Sequence, residues 1–484
     1  MLKILNNNKK LRHALASLTA PYMSYYVFIA FMVLVFFTGG SARDDVQSLI
    51  ILRPAAVLFG AYALTCRING HRKGRIFPFY VALAIAVLMA LQLIPLPPSV
   101  WIELPGRKIF ADIANFAGIE QPWRPLTLSP SRTLNSLFSL AVPITAMMLY
   151  LNLEENYREK VIGVIIILTG ISALWAMLQI AGSSRGPLFL YDITNHGTAV
   201  GLFANRNHQA VLLVSSMILL GWYGSSHAPK ARYASLQFYG SVAAIFVFIP
   251  LVFITGSRAG LLLMIPALAA SLLFIYYGKY MVESQAKVRH GRARTYWHLS
   301  PRQWVLAASI LLAVIMAALS IYLSRALAFD RLLGVSDFGE LRTKVFPIQL
   351  KMLGDYFPWG SGFGSFEHVY KIYEPNELLS PRYLNQAHND WLQFLIEGGL
   401  PTLAIVLVCF GWFAARLFKI AQNWSMSHYT KYTALMTASI ILIFLAGSVS
   451  DYPLRAPSLI AVFALVACIF NDSVDLLQRR QKQK

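Results

Sequence analysis

Long apolar runs alternate with short polar loops through most of this chain. The runs lie at roughly 22–40, 48–66, 76–96, 133–151, 161–181, 208–224, 238–256, 260–277, 304–323, 400–417, 432–450 and 457–471. Each reads as a helix able to cross a hydrocarbon core of ~30 Å. Arg53 and Pro54 interrupt the second run, and Ser and Asn dilute the fourth. The pattern predicts an all-α integral membrane protein with about twelve transmembrane helices. One long polar stretch, 324–399, breaks the alternation. Its first half predicts an amphipathic helix, with Leu341, Val345, Ile348, Met352 and Leu353 at near-helical spacing, ended by Asp355–Gly360. Its last part predicts a short helix with Asn389 or Asp390 as N-cap, closing at Gly398-Gly399 before Pro401 opens the next segment. The chain thus divides into helices one to nine over 1–323, a large loop domain over 324–399, helices ten to twelve over 400–471, and a basic tail over 472–484.

Composition agrees. Of 484 residues, 57% are hydrophobic and 13% charged, about half the charged fraction usual in soluble domains. The net charge of +20 comes from 42 Lys+Arg against 22 Asp+Glu. In a soluble protein this excess would suggest nucleic acid. Here it lies in alternate loops: Lys9–Arg12, Arg67–Arg75, Arg158–Lys160, Lys230–Arg232, Lys287–Arg302, Arg416–Lys431 and Arg479–Lys484. Positive-inside orientation places these loops and both termini in the cytoplasm. It places 41–47, 97–132, 182–207, the turn 255–258, the stretch 324–399 and 451–457 on the other side. Cys66, Cys409 and Cys468 form no metal spacing and no evident disulfide framework. Met1–Arg12 is basic, but the first run lacks a short h-region with a cleavage site, so no cleavable signal is expected.

The unusual polar clusters fall mainly on the non-cytoplasmic side. Arg258 stands in a tight turn, Thr255-Gly256-Ser257-Arg258. It either snorkels to the headgroups or clamps an anion with its planar fork. Asn205-Arg206-Asn207-His208 precedes an apolar run and is either an interfacial cap or the polar lip of a cavity. Arg342 sits on the amphipathic helix, where a solvated surface role is the simplest reading. Gly360-Ser361-Gly362-Phe363-Gly364-Ser365 lacks the ending of a phosphate loop and reads as a turn. His388 stands at a predicted helix N-terminus, where the macrodipole favours an anion. It is either a cap-like spacer or a base. No second His, Cys or paired carboxylate lies at ligand spacing, so no metal is expected. His388 is the best candidate base, with arginines as electrostatic stabilisers.

Taken together, these pieces resemble the O-antigen ligase and polymerase superfamily of bacterial membrane glycosyltransferases. The matching motifs run in order: Phe203–Ala210, Ser257–Gly260, Arg342 with Pro358–Phe366, His388-Asn389 through Glu397-Gly398, and Ser448–Arg455. The resemblance is clearest over 200–460. It implies a GT-C-like fold in the bacterial inner membrane, with the large loop and active site periplasmic. It implies inverting transfer of a glycan from undecaprenyl diphosphate to a glycan or lipid-linked acceptor, without metal, cofactor or nucleotide sugar. By position, Arg258 and Arg342 would grip the diphosphate and His388 would activate the acceptor hydroxyl. Arg206, Asn207, His208, Asn389 and Arg455 would contact glycan or lipid. The lipid bilayer and other polysaccharide-assembly proteins are the expected partners, and nucleic acid is not. The competing reading is a transporter or flippase, since about twelve helices with both ends inside is also the usual porter plan. Arg67–Arg75 resembles the basic loop of major-facilitator porters but lacks its aspartate, and the large loop has no counterpart there.

Overall fold

A computed structural model describes residues 21–69, 76–226, 231–287, 337–379, 384–422 and 428–481. It is mostly helical. The strands it contains are two residues each, Pro95–Leu96 paired antiparallel with Arg124–Pro125. Among the described residues, nine helices are long and apolar enough to cross a membrane: Pro21–Thr38, Leu49–Cys66, Pro130–Asn152, Glu155–Ala181, Leu236–Thr255, Arg258–Tyr277, Asp390–Gln422, Tyr429–Ser450 and Pro457–Leu476. They fall on nine of the twelve predicted runs. The run at 304–323 lies outside the described residues. The other two runs are also helical but differ from the expectation. Phe77–Gln92 has only 16 residues, which is ~24 Å at the usual helical rise. Arg206–Ser226 has a polar first turn and several Ser and Gly residues, so its hydropathy is low.

That weakly apolar helix is nevertheless the most enclosed of the long described helices. It packs against Arg258–Lys287, Ala231–Thr255, His428–Ser450 and Val161–Ala181. Its small residues are the reason. A Cβ on Gly221 would lie 2.7 Å from the Ser271 backbone, and one on Gly224 would lie 2.9 Å from the Ser241 side chain. Small residues let helix backbones approach closely where lipid offers no hydrophobic drive.

The loops read as non-cytoplasmic gather at one end of the bundle. The 97–132 loop docks on the large loop through Arg107, whose guanidinium donates to the carbonyls of Pro105, Leu126 and Gly360 at 2.9, 2.7 and 3.0 Å. Gln92 links the same elements. Its amide donates to the Glu397 carbonyl at 3.1 Å and accepts from Phe363 N–H at 2.9 Å. Ala204 N–H donates to Gly40 O at 3.1 Å, joining the 41–47 and 182–207 loops.

The large-loop helix Asp337–Tyr356 turns Val345 and Met352 inward, as the spacing predicts, onto Phe366, Val369, Leu392 and Ile396. Two glycine turns nest against each other. Gly399 (φ 60°) breaks the helix begun at Asp390, and a Cβ there would lie 2.1 Å from Pro358 O. Gly360 (φ 80°) has the Glu397 carbonyl at 2.5 Å from its Cβ position. Only glycine fits either place. The expected helix break at Gly398-Gly399 and the turn at 360–365 are both present.

Candidate functional site

The site grows from the segment entering the Asp390 helix. Gln349 donates to the Ala387 carbonyl at 3.1 Å, and Ala387 N–H donates to Gln393 Oε1 at 2.9 Å. Asn389 caps the helix, its Oδ1 accepting from Leu392 N–H at 3.1 Å. Between these anchors His388 adopts a left-handed conformation, φ 51°, alone among the described non-glycine residues. That backbone is uncommon and costly for a residue with a Cβ. It holds the imidazole at the end of the bundle rather than in the helix.

Two side chains meet one nitrogen of that ring. Asp451 Oδ1 lies 3.3 Å from His388 Nδ1, and Arg342 Nη2 lies 3.3 Å from the same atom. Both cannot be hydrogen bonds at once: the carboxylate only accepts and the guanidinium only donates. Asp451 is 2% exposed and His388 16%, while Arg342 is exposed. Facing the buried carboxylate with a lone pair would cost more than facing the exposed guanidinium with an N–H, since Arg342 can turn to solvent. The favoured tautomer therefore donates Nδ1–H to Asp451 and leaves Nε2 with its lone pair.

Asp451 is held from its other side by the start of the Arg206–Ser226 helix. Asn205 and Asn207 donate to Oδ2 at 3.2 and 2.5 Å, and Asn205 Oδ1 accepts from Asn207 N–H at 2.9 Å. Burial alone would raise the Asp451 carboxyl. The His388 hydrogen bond, with the charges of His388, His208 and Arg342, outweighs burial and holds the group below the usual carboxylate range. Tyr452 lies between two imidazoles, its centroid 4.9 Å from that of His388 and 5.4 Å from that of His208. His208 is buried under Tyr452, so it supports the site from below and does not form its lip.

Arg455 completes a second layer. It donates to Asp390 Oδ1 and Glu397 Oε2, both at 3.3 Å. Ser448 donates to Asp390 Oδ2 at 3.1 Å, and Gln393 donates to Glu397 Oε1 at 2.9 Å. Burial would lower the Arg455 pKa, but Glu397 and Asp390 raise it above the ordinary value. Arg455 pairs with two carboxylates and so fixes the turn carrying Asp451 and Tyr452.

The remaining arginines lie to one side. Arg258 opens the helix Arg258–Lys287 and is exposed. Arg206 Nη1 reaches within 3.5 Å of a Cβ position on Gly256, in the turn before Arg258. The described hydrogen bonds join Arg342, and not Arg258, to His388. The structure thus brings together His388, Arg342, Asn207 and, through Asp390, Asn389 and Arg455. Asp451, Tyr452, Glu397 and Gln393 had no role assigned from sequence, and Asp390 had only that of an alternative N-cap, which Asn389 fills. The signal available for them was acidic or amide residues inside or beside apolar runs, where an unpartnered charge is costly. Among the described residues, no group of three or more His, Cys, Asp or Glu could hold a metal ion.

Residues 242–407 match the family model described as O-antigen ligase. The match covers Arg258, Arg342 and His388 and under half of the chain. It supports the resemblance drawn from the motifs, to the O-antigen ligase and polymerase superfamily. No curated protein matches the chain.

Proposed function

We propose that this chain, similar to O-antigen ligases across 242–407, transfers a glycan from undecaprenyl diphosphate to an acceptor sugar hydroxyl. The transfer serves surface polysaccharide polymerisation or ligation and takes place at the end of the bundle where His388 lies. That end faces the periplasm. The observation that carries the reading is the convergence of Arg342 and Asp451 on His388 Nδ1, within a segment held by two glutamines and an N-cap.

The chemistry follows from the favoured tautomer. Nε2 takes the proton of the acceptor hydroxyl as its oxygen bonds to the anomeric carbon. The bond from that carbon to the diphosphate oxygen breaks, and its electron pair leaves with the diphosphate. Attack opposite the leaving group inverts configuration. Asp451 stabilises the imidazolium that forms. Arg342, which contacts His388 now and can turn away, holds the growing charge of the diphosphate together with Arg258. Asn207 positions Asp451, and Asn389 and Arg455 position the backbone around the base. Arg206 and the outer loops contact the glycan.

Purified protein given lipid-linked glycan and acceptor in excess EDTA should form product. Loss of transfer in EDTA with recovery in a divalent ion would overturn the arginine-based account. Deletion of the gene with glycan analysis separates the two activities: single repeat units left on carrier or acceptor mark a polymerase, and full-length polymer on the carrier marks a ligase. Cysteines at the exposed Ser183 and Glu377 should react with impermeant maleimide from outside the inner membrane, while one at Asn156 should not. The reverse pattern would overturn the orientation.

A further inference from the structure

A cleft of about 170 Å³ adjoins the site and shares Arg455 as a wall, but its lining includes neither His388, Asp451 nor Arg342. It is built mainly by the N-terminal half of the chain, outside the family match. Asn135, Asn385 and Gln386 give it amides suited to sugar hydroxyls, and Met89 and Phe394 give it an apolar side.

Four arginines line it, and three are neutralised. Arg43 pairs with Asp45 at 2.6 Å. Arg132 pairs with Asp44, and with Glu367 at 3.5 Å. Arg455 is held by Asp390 and Glu397. Arg53 differs. It lies about one turn inside the span that begins at Leu49, and its Nε is buried without a hydrogen-bond partner. No ion pair joins it to any described residue. A charge at this depth is expensive unless something completes it. The nearby acids are already engaged by the other three arginines, so the cleft presents one uncompensated cation between sugar-compatible amides and an apolar wall.

We propose that this cleft binds the phosphate-bearing head of a second, lipid-linked substrate, the acceptor, with Arg53 taking the phosphate. The assignment to an acceptor rests on the glycosyl-transfer reading; the binding does not. An isoprenoid carrier and a bilayer phospholipid offer the same phosphate chemistry, so the test uses both.

Full-length protein in phosphatidylcholine nanodiscs is titrated with undecaprenyl phosphate and, separately, with phosphatidylglycerol. Bound lipid is read by native mass spectrometry. Arg53→Gln should weaken undecaprenyl phosphate binding at one site by about tenfold or more, since it removes a charge-assisted contact. Arg53→Lys should retain most of it. In lipid-free detergent, Arg53→Gln should unfold at the wild-type temperature or above, because it removes an uncompensated charge. Wild-type binding of both lipids by Arg53→Gln overturns the site. Loss confined to phosphatidylglycerol overturns the substrate assignment. A lower unfolding temperature marks Arg53 as a structural residue and overturns the proposal too. Transfer by the wild-type protein is measured separately, so a chain that binds the lipid yet transfers nothing counts against the enzyme reading alone.

Discussion

At one end of the bundle Arg158 holds Asp472 at 2.5 Å, and Tyr150 donates to the same carboxylate at 3.0 Å. At the other end, Arg342 and Asp451 both reach one nitrogen of His388 at 3.3 Å. The ends lie ~22 Å apart along the last helix, from Pro457 to Asp472, at the usual helical rise. Arg158 also donates to the Leu151 and Leu153 carbonyls at 2.9 and 3.0 Å, which saturates it. Arg416 binds Asp475 and Asn471 in the same way. The carboxylates there stand on a regular helix, and the contacts tie helices together. At the His388 end the groups come from loops and helix starts, one residue has a left-handed backbone, and one nitrogen serves two partners that exclude each other. Short, saturated contacts mark structure. Long, shared ones mark a place where a substrate can change which partner is used.

The largest test of that contrast is His388→Gln. It keeps a hydrogen-bonding side chain but removes the proposed base, so transfer should fall ~10²–10⁴-fold while lipid-linked donor is still retained. An active Gln variant would leave His388 as a spacer. Next come Arg342→Lys and Arg258→Lys, which keep charge but lose the planar fork. Each should cost roughly two to three decades in rate at normal expression; near wild-type rates would return both arginines to the surface. Asp451→Asn should slow transfer less, by about 10–10²-fold, through loss of the favoured tautomer. Its stability should also change shape with pH. The carboxyl is depressed in the folded state, so its stabilisation is full above the unfolded value of ~3.9 and is lost only as pH falls below that. The gap in unfolding temperature between wild type and Asp451→Asn should therefore close as the pH falls below that value. The smallest effect on catalysis belongs to the other end. Arg158→Ala should lower stability by about 1.5–3 kcal/mol, as for a hydrogen bond to a charged group, without changing the specific activity of the folded protein. A drop in specific activity there would blur the distinction between the ends.

The sequence made most helices legible because apolar runs report burial in lipid directly. It reached Arg206–Ser226 as well, through the run 208–224, although serines and glycines that permit close packing lower the hydropathy there. The break at Gly398-Gly399 was legible because glycine has few other reasons to stand beside a proline there. Placing His388 beside Arg342 was not legible from periodicity: the two are far apart in sequence, and only the order of motifs linked them. Asp451 lay inside a quoted motif and still went without a role. An acid in a turn between two membrane helices looks solvated until its partners, Asn205 and Asn207 from one segment and His388 from another, converge on it.

The anchoring of Asp451 bears on how far the segment matched over 242–407 can act by itself. His388, Arg258 and Arg342 lie within 242–407, but the carboxylate beside His388 and the asparagines that grip it lie outside, at 451 and at 205 and 207. A chimera that grafts only the matched segment from a relative would import the proposed base without the scaffold that sets its tautomer. Exchange between such proteins should succeed only when the start of the Arg206 helix and the turn before the last helix travel with the graft.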